Sequence, residues 1–292
     1  MPNLAGTYKL GSLTVNRIGF GAMQLAGPKV YGPPSDPAHV AQVLQTALEA
    51  GINHIDTSDF YGPHHVNHLI RETLHPYRDG LVLVSKLGAK RSPDAGWHPA
   101  QSPAELRSGL EDNRHHLKLD CMDVVNLRIF TGHNPPQPGS IAERFETMLE
   151  LQREGKIKHI GLSNIVQSQL EEALTMGEVV CVQNAYGVLN RADDELLEFC
   201  ANKNIAFVPF FPLNGFSPLQ SKVLDEIALE TNSTKHQVAL AWLLHGPENI
   251  LLIPGTSKVA HLQQNIAAAE IKLTPNQLAR LDQPISLTSR SF

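Results

Sequence analysis

The run LVLVSK, residues 81–86, places four apolar residues in succession with no polar residue between them. A strand with one face in water alternates apolar and polar side chains. An unbroken apolar strand is covered on both faces, as in a parallel sheet layered by helices. DVVNL (123–127) has nearly the same character. Short β-branched or apolar runs at 17–21, 53–56, 81–86, 123–129, 159–163, 179–184, 205–210 and 250–254 make eight candidate strands, each separated from the next by a helical pattern. Helix starts between them are well marked. Asp36-Pro37 supplies a cap and an N1 proline, and SPAE (102–105), SIAE (140–143), TKHQ (234–237) and TPNQ (274–277) fit the capping box. In that box a hydroxyl accepts one orphan amide and the acid or amide three residues on reaches back to another. Gly51 and Gly155 stand where a left-handed residue ends a helix. Val40, Val43, Leu44, Ala47 and Leu48 recur at helical spacing and form one apolar stripe.

Eight strand–helix units in 292 residues close most naturally into an α/β (β/α)8 TIM barrel. No linker or low-complexity segment divides the chain, so residues 1–292 read as a single domain. The alternative, a doubly wound open sheet, lacks its GxGxxG, because Gly19, Gly21 and Gly27 do not match that spacing. TYKLGSLTVNR (7–17) reads as two short strands around Gly11-Ser12, a hairpin capping the bottom of the barrel. GHNPPQPG (132–139) follows the fourth strand as a proline-rich active-site loop.

The formal charge of -5 provides no basic field for nucleic acid or an anionic membrane. Residues 1–10 lack a basic segment followed by an apolar run, and nowhere do eighteen apolar residues occur in succession. Neither nucleic acid nor membrane is an expected partner. Cys121, Cys181 and Cys200 are odd in number and lack CxxC spacing, which predicts reduced, structural thiols in a cytoplasmic protein. Fourteen histidines are many, but the pairs 64–65 and 115–116 are adjacent and point their rings apart, so no metal site is expected.

In a barrel of this kind the chemistry gathers at the C-terminal ends of the strands. Asp56 ends the second strand and Tyr61 sits in its loop, Lys86 ends the third, and Asn126 and Arg128 lie on the fourth. Free tyrosine, with a pKa of about 10, is a poor acid at neutral pH. A neighbouring ammonium would bring it down, and a carboxylate would hold that ammonium in place. Taken alone, these residues equally allow an Asp and a Tyr that cap a helix and cover a core.

IDTSDFYG (55–62), SKLG (85–88), LDCMDVV (119–125), GLSN (161–164), VQNAY (182–186) and IPGT (253–256) resemble, in order and spacing, the aldo-keto reductases over essentially the whole chain. GFGAMQLAGP (19–28), DVVNLR (123–128), VPFFPL (208–213) and NILLIPGTS (249–257) narrow the resemblance to bacterial members that reduce pyridoxal. The resemblance implies NADPH laid across the rim, with Asp56, Tyr61 and Lys86 as catalytic residues and Tyr61 as general acid. Ser163, Asn164 and Gln183 match residues that hold the nicotinamide carboxamide, and Phe210 falls where an aromatic stacks on its ring. Gly21, Met23 and Pro212 match further cofactor contacts. Gly255, Ser257, Lys258, His261, Gln264 and Asn265 correspond to the adenosine phosphate site, with Gly255 and His261 at positions where other members often carry Lys and Arg. Arg128 stands at the fourth catalytic position, usually a His. A guanidinium does not shuttle protons, but it can donate to a carbonyl oxygen or grip the phenolate of pyridoxal. Trp97 and Phe130, with the 132–139 loop and Phe216, are the expected substrate wall. The expected activity is reduction of a small aldehyde, pyridoxal to pyridoxine. A broad-specificity aldehyde reductase and a nicotinamide-binding regulatory protein of the channel β-subunit kind are its rivals.

Overall fold

In the computed structural model, which describes residues 4–131, 135–215 and 219–283, a hairpin of β1 (Thr7–Leu10) and β2 (Leu13–Asn16) precedes a series of strand–helix units. They are β3 (Phe20–Gly21) with α1 (Pro37–Glu49), β4 (His54–Asp56) with α2 (His65–Leu74), and β5 (Val82–Arg91) with β6 (Trp97–Ala100) and α3 (Pro103–Leu117). Then come β7 (Met122–Arg128) with α4 (Ala142–Arg153), β8 (Ile157–Ser163) with α5 (Gln167–Met176), and β9 (Cys181–Gln183) with α6 (Asp194–Asn202). β10 (Ala206–Phe207) is followed by α7 (Lys222–Glu230) and α8 (Lys235–His245), and α9 (Val259–Ala267) and α10 (Pro275–Asp282) end the described chain.

The strands pair in parallel in the order β10-β9-β8-β7-β5-β4-β3. The eighth stave, expected at 250–254, bridges Phe207 through Ile250 on one side and Ile18 through Leu252 on the other. Leu251 N donates to Phe207 O at 2.9 Å and Gly19 N to Leu252 O at 2.8 Å, so the cylinder is closed. Pro209 and Pro254 bring no N–H to the ladder. Pairing near them is reduced to isolated bridges, Ala185 with Phe210 and Gly21 with Gly255.

Both faces of LVLV are buried. Val82 and Val84 pack with Val124, Val180, Val208, Leu251 and Ile253 inside the barrel, and Leu10 and Val15 of the hairpin join that cluster as its floor. Leu81 and Leu83 belong to the larger layer beneath the helices, to which Val40, Val43, Leu44 and Ala47 of α1 also contribute. Asp36 caps α1, and the boxes at Ser102, Thr234 and Thr274 form as read. Gly51 (φ 90°) and Gly155 (φ 74°) are left-handed.

Three expectations are corrected. SIAE is not a capping box: α4 has the fully buried Ile141 at its N-cap, and the Ser140 hydroxyl donates to Glu172 at 2.6 Å. The third strand does not stop at Lys86. It runs to Arg91, leaving the barrel to pair antiparallel with β6 from Gly88↔Ala100 to Arg91↔Trp97. Gly88 makes this exit possible, since at φ 112° a Cβ there would lie 2.2 Å from the Arg128 carbonyl oxygen. Cys181 and Cys200 are buried, whereas Cys121, in the turn before β7, is exposed and not a core thiol. Among the described residues no helix is long and apolar enough to cross a membrane.

Candidate active site

β4, β5, β7 and β9 deliver Asp56, Lys86, Arg128 and Gln183 to the wall of one cavity of about 740 Å³, and the loop after β4 brings Tyr61 over it. Asp56 and Lys86 are almost fully buried, with side chains 5% and 4% exposed. The Lys86 ammonium donates to Asp56 Oδ1 and, at 2.9 Å, to the Thr57 carbonyl oxygen. Gln183 Nε2 donates to the other Asp56 oxygen at 2.8 Å. Lys86 Nζ lies 5.2 Å from the centre of the Tyr61 ring.

The electrostatics differ from the expectation in one respect. Burial dominates at Tyr61 and pushes its pKa up, outweighing the downward pull of Lys86 and Arg128. The ammonium is already matched by Asp56, which itself pushes the phenol up, so little net positive field remains. The phenol therefore stays protonated at neutral pH. Burial opposes the Lys86 charge, but Asp56 and Tyr61 together more than offset it and the ammonium is held above its ordinary pKa. Burial lowers Arg128, against the opposing effect of Tyr61 and Asp56. The Arg128 guanidinium donates to Ser163 Oγ at 3.2 Å and lies 5.1 Å over the Phe210 ring.

Most residues expected around a cofactor line this cavity: Gly21, Met23, Gln183, Phe210, Pro212, Gly255, His261, Gln264 and Asn265. Ser163, Asn164, Ser257 and Lys258 are not among the lining residues. Ser163 is engaged by Arg128, and Asn164 donates to the Ile129 carbonyl oxygen at 2.8 Å. Trp97 and Phe130 both line the cavity. Phe216 and residues 132–134 of the proline-rich loop lie outside the described residues.

The donor set suits a nicotinamide. Gln183 Oε1 is buried without a hydrogen-bond partner among the described residues, and Phe210 adds an aromatic face in the same cavity. An unsatisfied buried amide oxygen costs stability unless a ligand donor meets it, and a carboxamide N–H is such a donor. His261, Gln264 and Asn265 line the same cavity from the first two turns of α9.

Sequence reasoning missed three features. Phe60 packs edge-on against Tyr61 and Trp97, with ring centres 5.4 Å and 5.5 Å apart, forming a wall of the cavity. Arg91 covers Trp97 at 4.0 Å and bonds the Val30 carbonyl oxygen at 2.6 Å, which pins the mouth. His236 lines the cavity, as His261 does, although TKHQ was legible only as a helix start. The rings of His115 and His116 do not point apart as expected but meet edge-on with centres 5.3 Å apart, and one ring from each pair meets Asp59 outside the cavity: His64 Nδ1 at 2.6 Å and His116 Nδ1 at 2.7 Å.

A barrel with Asp, Tyr and Lys gathered at the C-terminal ends of its strands defines an aldo-keto reductase type of site. The Aldo/keto reductase family model matches residues 17–285, and the chain belongs to that family. Among curated proteins it is 53% identical over 280 residues to pyridoxine 4-dehydrogenase of Escherichia coli (strain K12), covering 95% of this chain and 98% of that protein. Among solved structures it resembles a thermostable aldo-keto reductase bound to the inhibitor epalrestat, with TM-score 0.79 and 31% identity over 94% of this chain and 98% of the other. An aldo/keto reductase from Klebsiella pneumoniae in complex with NADP and acetate aligns with TM-score 0.75 and 25% identity over 94% and 93% of the two chains.

Proposed function

We propose that this protein is an NADPH-dependent reductase that converts pyridoxal to pyridoxine, with Tyr61 as the proton donor. The observation that carries the reading is the buried, protonated Tyr61 phenol beside the Lys86–Asp56 pair, in a cavity that also presents the unpartnered Gln183 oxygen and the Phe210 face. Gln183 and Phe210 would hold the nicotinamide, and His261, Gln264 and Asn265 the adenosine phosphate end. Bound NADPH supplies hydride to the aldehyde carbon.

Tyr61 gives its proton to the carbonyl oxygen as negative charge develops there, and the sum of hydride and proton makes the alcohol. Lys86, kept charged by Asp56, stabilises the tyrosinate left behind. Arg128 donates to the phenolate oxygen beside the aldehyde, for which a planar fork of N–H donors is well shaped. Phe60, Trp97 and Phe130 suit a flat aromatic substrate. Pyridoxal as the aldehyde is supported by the 53% identity to pyridoxine 4-dehydrogenase.

The test is NADPH consumption, followed by absorbance, with pyridoxal, pyridoxal phosphate and benzaldehyde in parallel and Tyr61→Phe as control. Turnover greatest on pyridoxal and reduced by roughly 10²–10⁴ in the variant is expected. Equal turnover on all three aldehydes would replace pyridoxal by a broad range of aldehydes. NADPH binding without reduction of any of them would overturn the catalytic reading.

A further inference from the structure

Asp59, His64 and His116 offer one carboxylate and two imidazoles whose ligand atoms all lie within 4.8 Å of one another. They come from three places: Asp59 from the loop after β4, His64 from the N-cap of α2, and His116 from the last turn of α3. None of the three lines the cavity.

Both imidazoles address the same carboxylate, His64 Nδ1 at Oδ2 and His116 Nδ1 at Oδ1, and their ring centres are 4.5 Å apart. The three side chains come from separate elements and turn their ligand atoms towards one another. Two imidazoles and one carboxylate so placed can surround a single dication, each nitrogen offering a lone pair to a common centre.

The carboxylate is also held as a metal-bound carboxylate usually is. Asn67 Nδ2, fully buried, donates to Asp59 Oδ1 at 3.1 Å. Asn67 is itself fixed by the Thr57 hydroxyl at 2.8 Å and by Asn113 at 3.2 Å. Outer partners of this kind orient ligands and tune their affinity. His68 packs edge-on against His116 with ring centres 4.6 Å apart and closes one side.

We propose that Asp59, His64 and His116 form a binding site for a divalent first-row transition metal, with zinc as its representative. Imidazole nitrogen and carboxylate oxygen suit such an ion, and three protein ligands leave a fourth position for water. Bonds of about 2.0–2.1 Å would set tetrahedral ligand atoms roughly 3.3 Å apart. The nitrogen–oxygen separations, now 2.6 Å and 2.7 Å, therefore open slightly as the metal takes the place of the shared protons. His64, with a side chain 47% exposed, has the freedom to move. The occupied site fastens the loop carrying Tyr61 to the end of α3, and it does not depend on which aldehyde is reduced.

The test uses the full chain, stripped with a chelator and dialysed, titrated calorimetrically with Zn²⁺ and in parallel with Co²⁺ followed by its visible absorption. One equivalent is expected to bind saturably, with Co²⁺ bands of a low-coordinate nitrogen–oxygen site. His64→Asn and His116→Asn should each weaken binding by at least about tenfold, while His115→Asn leaves it unchanged. Circular dichroism of the metal-free variants establishes that they are folded, and His64→Asn, at an exposed side chain, serves should His116→Asn fail to fold. No saturable binding to the parent protein, or equal affinity in the folded His64→Asn variant, would overturn the proposal.

Discussion

Replacing Lys86 by Met tests the buried ion pair at the centre of the site. The substitution leaves the Asp56 carboxylate, 5% exposed, with Gln183 Nε2 at 2.8 Å as its remaining side-chain donor among the described residues, and it strips the Thr57 carbonyl oxygen of a 2.9 Å donor. Breaking a buried pair from one side costs about 3–5 kcal/mol, because the other charge stays buried and uncompensated. For a chain of 292 residues that corresponds to a fall of about 5–8 °C in Tm. Asp56→Asn combined with Lys86→Met removes both charges at nearly constant volume, and the double variant should regain most of the loss. Turnover should not return with stability, since Tyr61 then has no ammonium to support its tyrosinate. Urea denaturation followed by tryptophan fluorescence, at a common pH and with m-values compared, reads the stability. NADPH oxidation reads the activity. A cost for Lys86→Met below about 1 kcal/mol, the range of an exposed pair, would refute the argument. So would a double variant no more stable than the single one.

His54, buried at the start of β4 over Gly19, has its pKa pushed down to about 4, chiefly by burial. Its folded pKa lies below the unfolded value, so protons favour the unfolded chain. Stability should fall as pH drops from about 6.5 towards 4, by up to about 3 kcal/mol, and His54→Gln should remove that component from urea midpoints taken across the window. Gly88→Ala should cost about 2 kcal/mol or more and lower kcat/KM, because the new methyl meets the Arg128 carbonyl oxygen at φ 112°; unchanged midpoint and kinetics would contradict the close approach. Thr234→Ala deletes the hydroxyl that accepts the Gln237 amide at 3.2 Å and should cost about 1 kcal/mol in thermal melts, and an unchanged melt would contradict the cap.

The barrel was legible because LVLV and its parallel neighbours carry their burial on both faces within a few residues, and because hydroxyl caps act over only three positions. The corrections share a different origin. β5 continues past Lys86 because β6, supplied by residues 97–100, offers it a partner, and no property of KLGAKR alone announces that partner. Ser140 departs from the capping box because Glu172, a full strand–helix unit away, accepts from its hydroxyl and from the Ile141 amide, while Ser140 Oγ accepts the Ala142 amide. The site divides along the same line. Asp56, Lys86 and Gln183 could be placed by their positions at strand ends, whereas the direction of the Tyr61 shift could not, since burial is a sum over every element packed around the phenol. The histidines follow this logic most plainly. Adjacency rightly keeps His64 from sharing a ligand with His65, and His115 with His116. It is silent about one member of each pair meeting on a carboxylate, because α2 and α3 stand side by side only after the barrel has closed.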